Sequence, residues 1–396
     1  MSHDTNAASR KSAPRSYWER IAEGLKVAAG TLSGRPRERK LRVVIANFSE
    51  PLESTMDFRS YWKVFRMPSK PARLSLFENP HDWGFHIYAP GVYLMDRKFA
   101  SRVEFWDYTH VDKAKDSEKR SVSYNSNGIL RVMFSNEEDI ASYLDVYGFP
   151  DLFINHGRFG HPILKLMEGK CFRVHVPALR LGMDRQENYG AECYLVDDEQ
   201  FLDNRSMMYI PVVNTEQICP ADVEKTRDFI YLASNYGSKR HDILLNAVRG
   251  TELTGHLHPV DASKLDLSNT RITTSGWDER NVVELLRTSR MAVYTGECDS
   301  NAASMWECVA AGLPIVMNRN IMGGKHLVVP GVTGEFASEK EFYEATKHVL
   351  ANLATYRPRE YFEEHWNTIK ILEQYFSFFI KMGWPYPNVF DRRTGV

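Results

Sequence analysis

The chain has 396 residues, a formal net charge of −1 and a 43% hydrophobic fraction, enough to bury two medium-sized domains. Near-neutral charge gives no support for nucleic acid as a partner, and no apolar run has the length of a membrane span or the pattern of a signal peptide. Five scattered cysteines (Cys171, Cys193, Cys219, Cys298, Cys308) lack zinc-ligand spacing and read as reduced thiols of a cytoplasmic protein, soluble or peripheral on the inner face of a membrane.

Residues 1–40 carry nine Lys/Arg against four Asp/Glu. Within them Trp18, Ile21, Ala22, Leu25, Ala28, Ala29 and Leu32 fall near helical spacing, with Ser16 as an N-cap and Gly30 or Gly34 as a stop. Such a basic amphipathic extension could rest on an anionic membrane face. It could equally pack on its own domain or remain disordered.

From Lys40 strands and helices alternate. Residues 41–48 read as a buried first strand, 92–101 as a helix, 103–108 and 129–134 as strands, and 137–146 as a helix. Repeated units of this kind imply a parallel sheet covered on both faces. Residues 49–90, rich in proline and aromatics, read as an insertion near a substrate cleft. The strand after Phe149-Pro150 ends at His156-Gly157, which puts an imidazole at the carboxyl edge of a parallel sheet, where ligands bind in such folds. A histidine there is also a common structural residue; Arg158 and His161 follow as neighbours. Segments 171–177, 193–196 and 207–213 complete a first domain over 41–215, and the polar, proline-containing stretch 214–226 reads as a linker.

A second domain, 225–355, opens with a strand over 228–233. Directly after it come Ser234-Asn-Tyr-Gly237-Ser-Lys239-Arg240-His-Asp242. A glycine loop running into a basic helix start suits a diphosphate, with Lys239 and Arg240 supplying charge and loop amides supplying directional donors; in most proteins the same pair would be solvated surface charge. A strand over 272–276, then a turn and an amphipathic helix with apolar Val282, Leu285 and Leu286, place Gly276 and Trp277 at a sheet edge, where Trp277 could stack on a base or simply pack. Next come a strand at 291–294, a turn at 295–299, a helix at 300–311, Gly312-Leu-Pro314 and a strand at 315–317. Asp299 and Glu307 bracket that helix, and the free amides of Asn301, Ala302 and Ala303 at its start could receive a phosphate. Taken alone, an acidic pair at this spacing is an ordinary solvated face. Helical segments over 339–353 and 361–379 end the chain.

The ordered set from Asp299 through Glu307, Gly312-Leu-Pro314 and Ile315-Val316, continued by Gly323-Gly324 and Pro330-Gly331-Val-Thr-Gly334, resembles the donor-site signature of glycosyltransferase family 4, a family of retaining GT-B enzymes. The resemblance implies an α/β fold of the GT-B type: two Rossmann-like domains with parallel sheets facing across a cleft, the last segment, 356–396, crossing back onto the first domain.

It also implies roles. Glu307 would accept from ribose hydroxyls, a task suited to an acceptor-only carboxylate. Asp299 would hold a sugar hydroxyl, His156 would face the transferred sugar, and Gly276 and Trp277 would hold the nucleobase. Lys239, Gly237, Arg240 and the amides of Asn301, Ala302 and Ala303 would bind the donor diphosphate and stabilise its growing charge. Lys239 and Asp242 match the family's phosphate loop, but Ser234 stands where the family has an arginine. Asp299 replaces the commoner glutamate, and Lys325-His-Leu327 lacks the family's glutamate after the glycine pair. The expected activity is a retaining transfer of a hexosyl or related sugar from a UDP- or GDP-linked donor to a glycan, lipid-linked or small-molecule acceptor. No cofactor or metal is invoked. The alternatives are a nucleotide-sugar epimerase on the same fold and a non-catalytic nucleotide-sugar- or glycan-binding relative.

Overall fold

The computed structural model describes residues 41–47, 85–108, 121–124, 129–134, 137–156, 161–177, 190–276, 279–299 and 302–386. The extension 1–40, most of the 49–90 insertion, Arg158, Trp277 and Asn301 lie outside them.

The first sheet has eight strands: β1 (Leu41–Asn47), β2 (Ala100–Tyr108), β3 (Ser121–Tyr124), β4 (Leu130–Phe134), β5 (Leu152–His156), β6 (Phe172–Val176), β7 (Cys193–Val196) and β8 (Ser206–Met208). Their order is β3-β4-β2-β1-β5-β6-β7-β8. Seven run parallel, while β3 pairs antiparallel with β4 at one edge, with Val122 opposite Val132. β5 and β6 are buried along their whole length, as strands covered on both faces must be. The flanking helices are α1 (Phe85–Asp96), α2 (Glu137–Tyr147) and α3 (His161–Leu166).

The second sheet is wholly parallel, in the order β11-β10-β9-β12-β13-β14. Its strands are β9 (Arg227–Leu232), β10 (Thr254–His258), β11 (Arg271–Thr274), β12 (Ser289–Tyr294), β13 (Ile315–Asn318) and β14 (Gly334–Ala337). Helices α4 (His241–Val248), α5 (Glu279–Thr288), α6 (Ala303–Ala310) and α7 (Phe342–Ala351) join them. The strand order reverses between β9 and β12, so the loops leaving these two neighbours border a crevice at the carboxyl edge.

α8 (Pro358–His365) and α9 (Thr368–Lys381) follow. α9 lies against the first domain: Thr368 Oγ1 donates to Val213 O at 2.6 Å, and the Tyr375 hydroxyl both donates to Ile210 O and accepts from Ile210 N–H at 2.6 Å. Tyr93 of α1 stacks on Phe376, and Tyr386 OH reaches Asp151 Oδ1.

Several expectations are corrected. The helix expected over 92–101 spans Phe85–Asp96, and from Ala100 the chain is already strand. Pro90 and Gly91, helix breakers by propensity, both lie inside α1; a Cβ on Gly91 would collide with Val103 Cγ1, so glycine is what lets the helix lie close on β2. The strand expected over 207–213 pairs only over Ser206–Met208 before the chain turns to meet α9. The helix expected over 300–311 spans Ala303–Ala310. The segment 339–353 opens with a short 3-10 turn, Glu339–Glu341, fixed by a Ser338/Glu341 capping box before α7 begins. The run 361–379 divides into α8 and α9, because Asn367 caps α9 by accepting from Ile369 N–H at 3.0 Å.

Candidate active site

The loop leaving β9 is a single 3-10 turn, Gly237–Lys239, with Gly237 exposed at its first position. Arg240 follows in the left-handed region at φ +49° and hands the chain to α4. The ends of both neighbouring strands pin this loop. Tyr231 OH donates to Lys239 O, and Thr295 Oγ1 donates to Lys239 O at 3.1 Å and Arg240 O at 2.8 Å. Ser304 Oγ, in the first turn of α6, turns inward to Leu232 O at 2.9 Å.

The segment after β12 is stitched between two loops. Glu297 N–H donates to Ser238 O at 3.0 Å, Asp299 N–H to Met322 O at 3.1 Å, and Met322 N–H returns to Glu297 O at 2.8 Å. These bonds carry Asp299 to Lys239, and the two side chains, 13% and 17% exposed, form an ion pair through Asp299 Oδ2. Tyr294 completes a triangle: its hydroxyl accepts from Lys239 Nζ at 2.9 Å and donates to the same Oδ2. Burial, and then the Asp299 charge, hold the Tyr294 phenol far above its ordinary range, so it stays protonated.

Arg240 stands beside this triangle with its guanidinium on carboxylates, Asp242 at 2.9 Å, Glu297, and Glu339 at 3.9 Å. The hydrogen bond from Arg240 holds the Asp242 carboxyl below its usual range. Glu307 is half-buried in the middle of α6, whose Met305, Trp306 and Val309 are fully buried. Ala302, buried, precedes the helix and Ala303 opens it, without a side-chain cap on the first amides.

The other expected residues lie elsewhere on the two sheet edges. His156 ends β5 in the first sheet, 8% exposed, its ring edge-on to Tyr209, which in turn stacks on Tyr375 of α9. Gly276 is exposed just beyond β11, next to Ser275, whose hydroxyl is bonded by His256 Nε2 at 2.9 Å and His258 Nδ1 at 2.8 Å. Lys239 and Asp299 are thus in direct contact, with Arg240 joined to them through Glu297, whereas His156 belongs to the opposite domain.

The domains touch where their carboxyl edges meet. Gly323 N–H donates to Asp198 Oδ2 at 3.0 Å and Gly324 N–H to Asp197 O at 3.3 Å, joining the loop after β13 to the end of β7. His326, in that same loop, packs on Trp306, and burial pushes its imidazole down to about 4, against the opposing pull of Asp198.

Tyr294 and Asp198 escaped the sequence reasoning. A tyrosine closing a buried strand reads as core, but one signal was available: a Cβ on Gly296 would stand 2.7 Å from Tyr294 Cε1, so the small residue two positions on marks the ring's path. Asp198 belongs to an acidic surface turn whose partner lies 125 positions away, and nothing local announces it.

No protein-family model matches the sequence, and no curated protein matches it either. Solved structures do. Sucrose-phosphate synthase from Thermosynechococcus elongatus superposes with a TM-score of 0.61 at 12% identity, over 87% of this chain and 99% of that one. HepE from Anabaena, in complex with UDP and glucose, gives 0.58 at 9% identity over 86% and 100%. The pneumococcal O-GlcNAc transferase GtfA, in complex with UDP and GlcNAc, gives 0.55 at 8% identity over 87% and 99%. Two α/β domains meeting at their carboxyl edges, a reversal of strand order in the second sheet and a closing helix returned to the first domain agree with these likenesses: the chain has the GT-B fold.

Proposed function

We propose that the protein is a glycosyltransferase that moves a hexosyl or related sugar from a UDP- or GDP-linked donor to an acceptor hydroxyl, with retention of configuration, in glycan or glycolipid assembly. The observation that carries this reading is the contact of Lys239 with Asp299 at the carboxyl edge where β9 and β12 adjoin, in the segment that leads into α6. An ammonium near the start of a helix suits a diphosphate, and an acceptor-only carboxylate beside it suits a hydroxylated group attached to that diphosphate.

In this reading the bond between the sugar's anomeric carbon and the donor phosphate breaks with its electron pair leaving on the diphosphate. The acceptor oxygen bonds to the same face of the anomeric carbon, and its proton passes to the departing phosphate oxygen. Lys239 and the amides of Asn301, Ala302 and Ala303 stabilise the charge that grows on the leaving group, a contribution made in the transition state. Arg240 and the Gly237 turn border that charge. Glu307 holds the ribose, Asp299 holds a sugar hydroxyl, Gly276 and Trp277 hold the base, and His156 faces the transferred sugar from the other domain. The basic extension 1–40 would bring the protein to the inner face of a membrane carrying a lipid-linked acceptor. Co-sedimentation with anionic liposomes that is unchanged on removal of residues 1–40 would remove that part of the proposal.

A second reading is a relative that binds a nucleotide sugar without turnover. It is favoured by Ser234 in the phosphate loop and by the carboxylates on Arg240. Nucleotide release from a panel of UDP- and GDP-sugars, with and without acceptors, separates transfer, acceptor-independent conversion and binding alone. Lys239→Ala and Glu307→Ala are each expected to lower turnover about 100-fold or more while the protein remains folded; wild-type rates in both would reject the assignment.

A further inference from the structure

Tyr294 ends β12 with its ring enclosed by Tyr231, edge-on at 5.5 Å, and by the bare Gly296 backbone. Its hydroxyl meets the one carboxylate oxygen that Lys239 also holds. We propose that Tyr294 is a positioning residue for Lys239: its hydroxyl holds the Asp299 carboxylate while the ammonium passes from Asp299 to a bound diphosphate.

The proposal rests on the sugar-transfer reading and deepens it. A lysine tied to a largely buried carboxylate can serve a ligand only by leaving that carboxylate, and removing one partner of a buried ion pair is strongly unfavourable because it strips compensation from the other. A neutral donor already seated on the same oxygen reduces this penalty. Tyr294 suits the task because its proton is firmly held: burial and the Asp299 charge both oppose ionisation. The same hydroxyl accepts from Lys239, so the ammonium starts from a defined place. Lys239 is a compact charge on a flexible stem and can swing, whereas a forked guanidinium would be harder to release. Among the described residues, the other titratable groups around the triangle include Tyr231, His241 and Arg240. Tyr231 is held protonated by burial, and burial pulls His241 down. Neither Tyr231 nor His241 supplies a cation in place of Lys239 on Asp299, and Arg240 is held by Asp242 and Glu297.

Removal of the hydroxyl acts unequally on the two states. Without ligand, Asp299 still has Lys239. With ligand, Asp299 gives up the ammonium and in Tyr294→Phe has also lost the phenol, so the bound state is the more disturbed and affinity falls. The loss appears only with ligands that draw Lys239 away.

The test is calorimetric titration of the full chain with UDP and UMP, and with GDP and GMP, whichever base binds. Tyr294→Phe is expected to weaken the diphosphate about tenfold, the size of one hydrogen bond to a charged group, and the monophosphate by less than about threefold. In an Asp299→Asn background, where the ammonium has no anion to leave, the Phe substitution is expected to be silent. Equal weakening of di- and monophosphate, or the same loss in the Asn background, overturns the proposal. If Tyr294→Phe does not fold, Gly296→Ala keeps the hydroxyl but pushes on the ring, and it is expected to shift the same ratio; an unshifted ratio in that variant counts against the proposal. A wild-type chain that binds neither UDP nor GDP defeats the sugar-transfer reading itself, whereas wild-type binding with a ratio unmoved by Tyr294→Phe defeats only the role of Tyr294.

Discussion

Glu104 in the middle of β2 and Asp299 in the loop after β12 are each held by a basic side chain and a tyrosine hydroxyl. Glu104 is fully buried, with Arg42 Nε at 2.5 Å and Nη2 at 3.0 Å, Arg102 Nε at 2.7 Å, Trp106 Nε1 at 2.8 Å and Tyr143 OH at 3.1 Å. Burial alone would raise its carboxyl, but the two arginines override that and hold it below the usual range. Asp299 stands at the sheet's carboxyl edge, partly open, with a lysine instead of an arginine fork. Arginine offers planar, preorganised, two-point contact, whereas lysine offers a mobile point charge. The difference teaches that similar chemistry makes a fixed clamp in mid-sheet and an exchangeable pair at an edge, decided by burial and by the choice of cation.

The largest expected effect comes from breaking the buried member of this pair. Glu104→Ala leaves Arg42 and Arg102 without their carboxylate and is expected to destabilise the protein by about 3–5 kcal/mol, read by urea denaturation. A loss below about 1 kcal/mol would remove the contrast with Asp299.

Acid titration separates the clamp from the second domain. His256, buried and bonded to Thr273 and Ser275, is pushed down to about 4 by burial first and then by Arg227 and His258. A neutral buried histidine with a lowered folded value stabilises the protein fully above its unfolded value, near 6.5, and that contribution is lost as pH falls toward 4. His326 acts in the same direction and window. Glu104, whose carboxyl is lowered, keeps its contribution until pH falls through the carboxylate range and below it. Wild-type stability is therefore expected to fall by about 2–3 kcal/mol per histidine between pH 6.5 and 4, and His256→Gln to flatten that limb. An unchanged slope in His256→Gln would show that the histidine titrates normally in the folded protein.

Tyrosine deletions sharpen the comparison. Tyr143→Phe removes a buried hydroxyl bonded to Glu104 and to Arg102, and about 1–2 kcal/mol of stability should go with it, without any shift in preference between nucleoside di- and monophosphates. Tyr294→Phe should show itself in that preference. If Tyr143→Phe moved it equally, the shift would report general loosening instead of local exchange.

The two regions were unequally legible in the sequence. Around Asp299 the order of acid, small residues, Glu307 and Gly312-Leu-Pro314 is local, so strand, turn and helix could be placed to within a few residues. The contact of Lys239 with Asp299 spans 60 positions and depends on β9 lying beside β12, which periodicity does not reveal. The Glu104 clamp was invisible, since Arg42 and Glu104 are adjacent only because β1 pairs with β2 in the observed register, Val44 opposite Glu104. A charged residue at a strand's centre reads as solvent-facing until the partner that neutralises it is known. α1 was misplaced because Pro90 and Gly91 are breakers by propensity, while packing on Val103 requires the glycine. Tertiary contact overrides local preference there.

Arg240 gives the smallest effect and the sharpest check on how many exchangeable cations the edge holds. Its partners Asp242, Glu297 and Glu339 are each more than half exposed, and such pairs contribute about 0–1 kcal/mol. Arg240→Ala is therefore expected to change stability by less than about 1 kcal/mol and affinity for UDP by less than about threefold, because the guanidinium stays on its carboxylates. Its backbone lies in the left-handed region, which disfavours alanine as it does arginine, so Arg240→Gly should be about 1 kcal/mol more stable than Arg240→Ala. That pair of variants separates backbone from charge: both remove the guanidinium, and only one relieves the strain. A tenfold loss of UDP affinity shared by both, at unequal stability, would mean that Arg240 leaves Glu297 and Asp242 for the diphosphate. The edge would then hold two exchangeable cations, and Arg240 would take the part that Ser234 cannot.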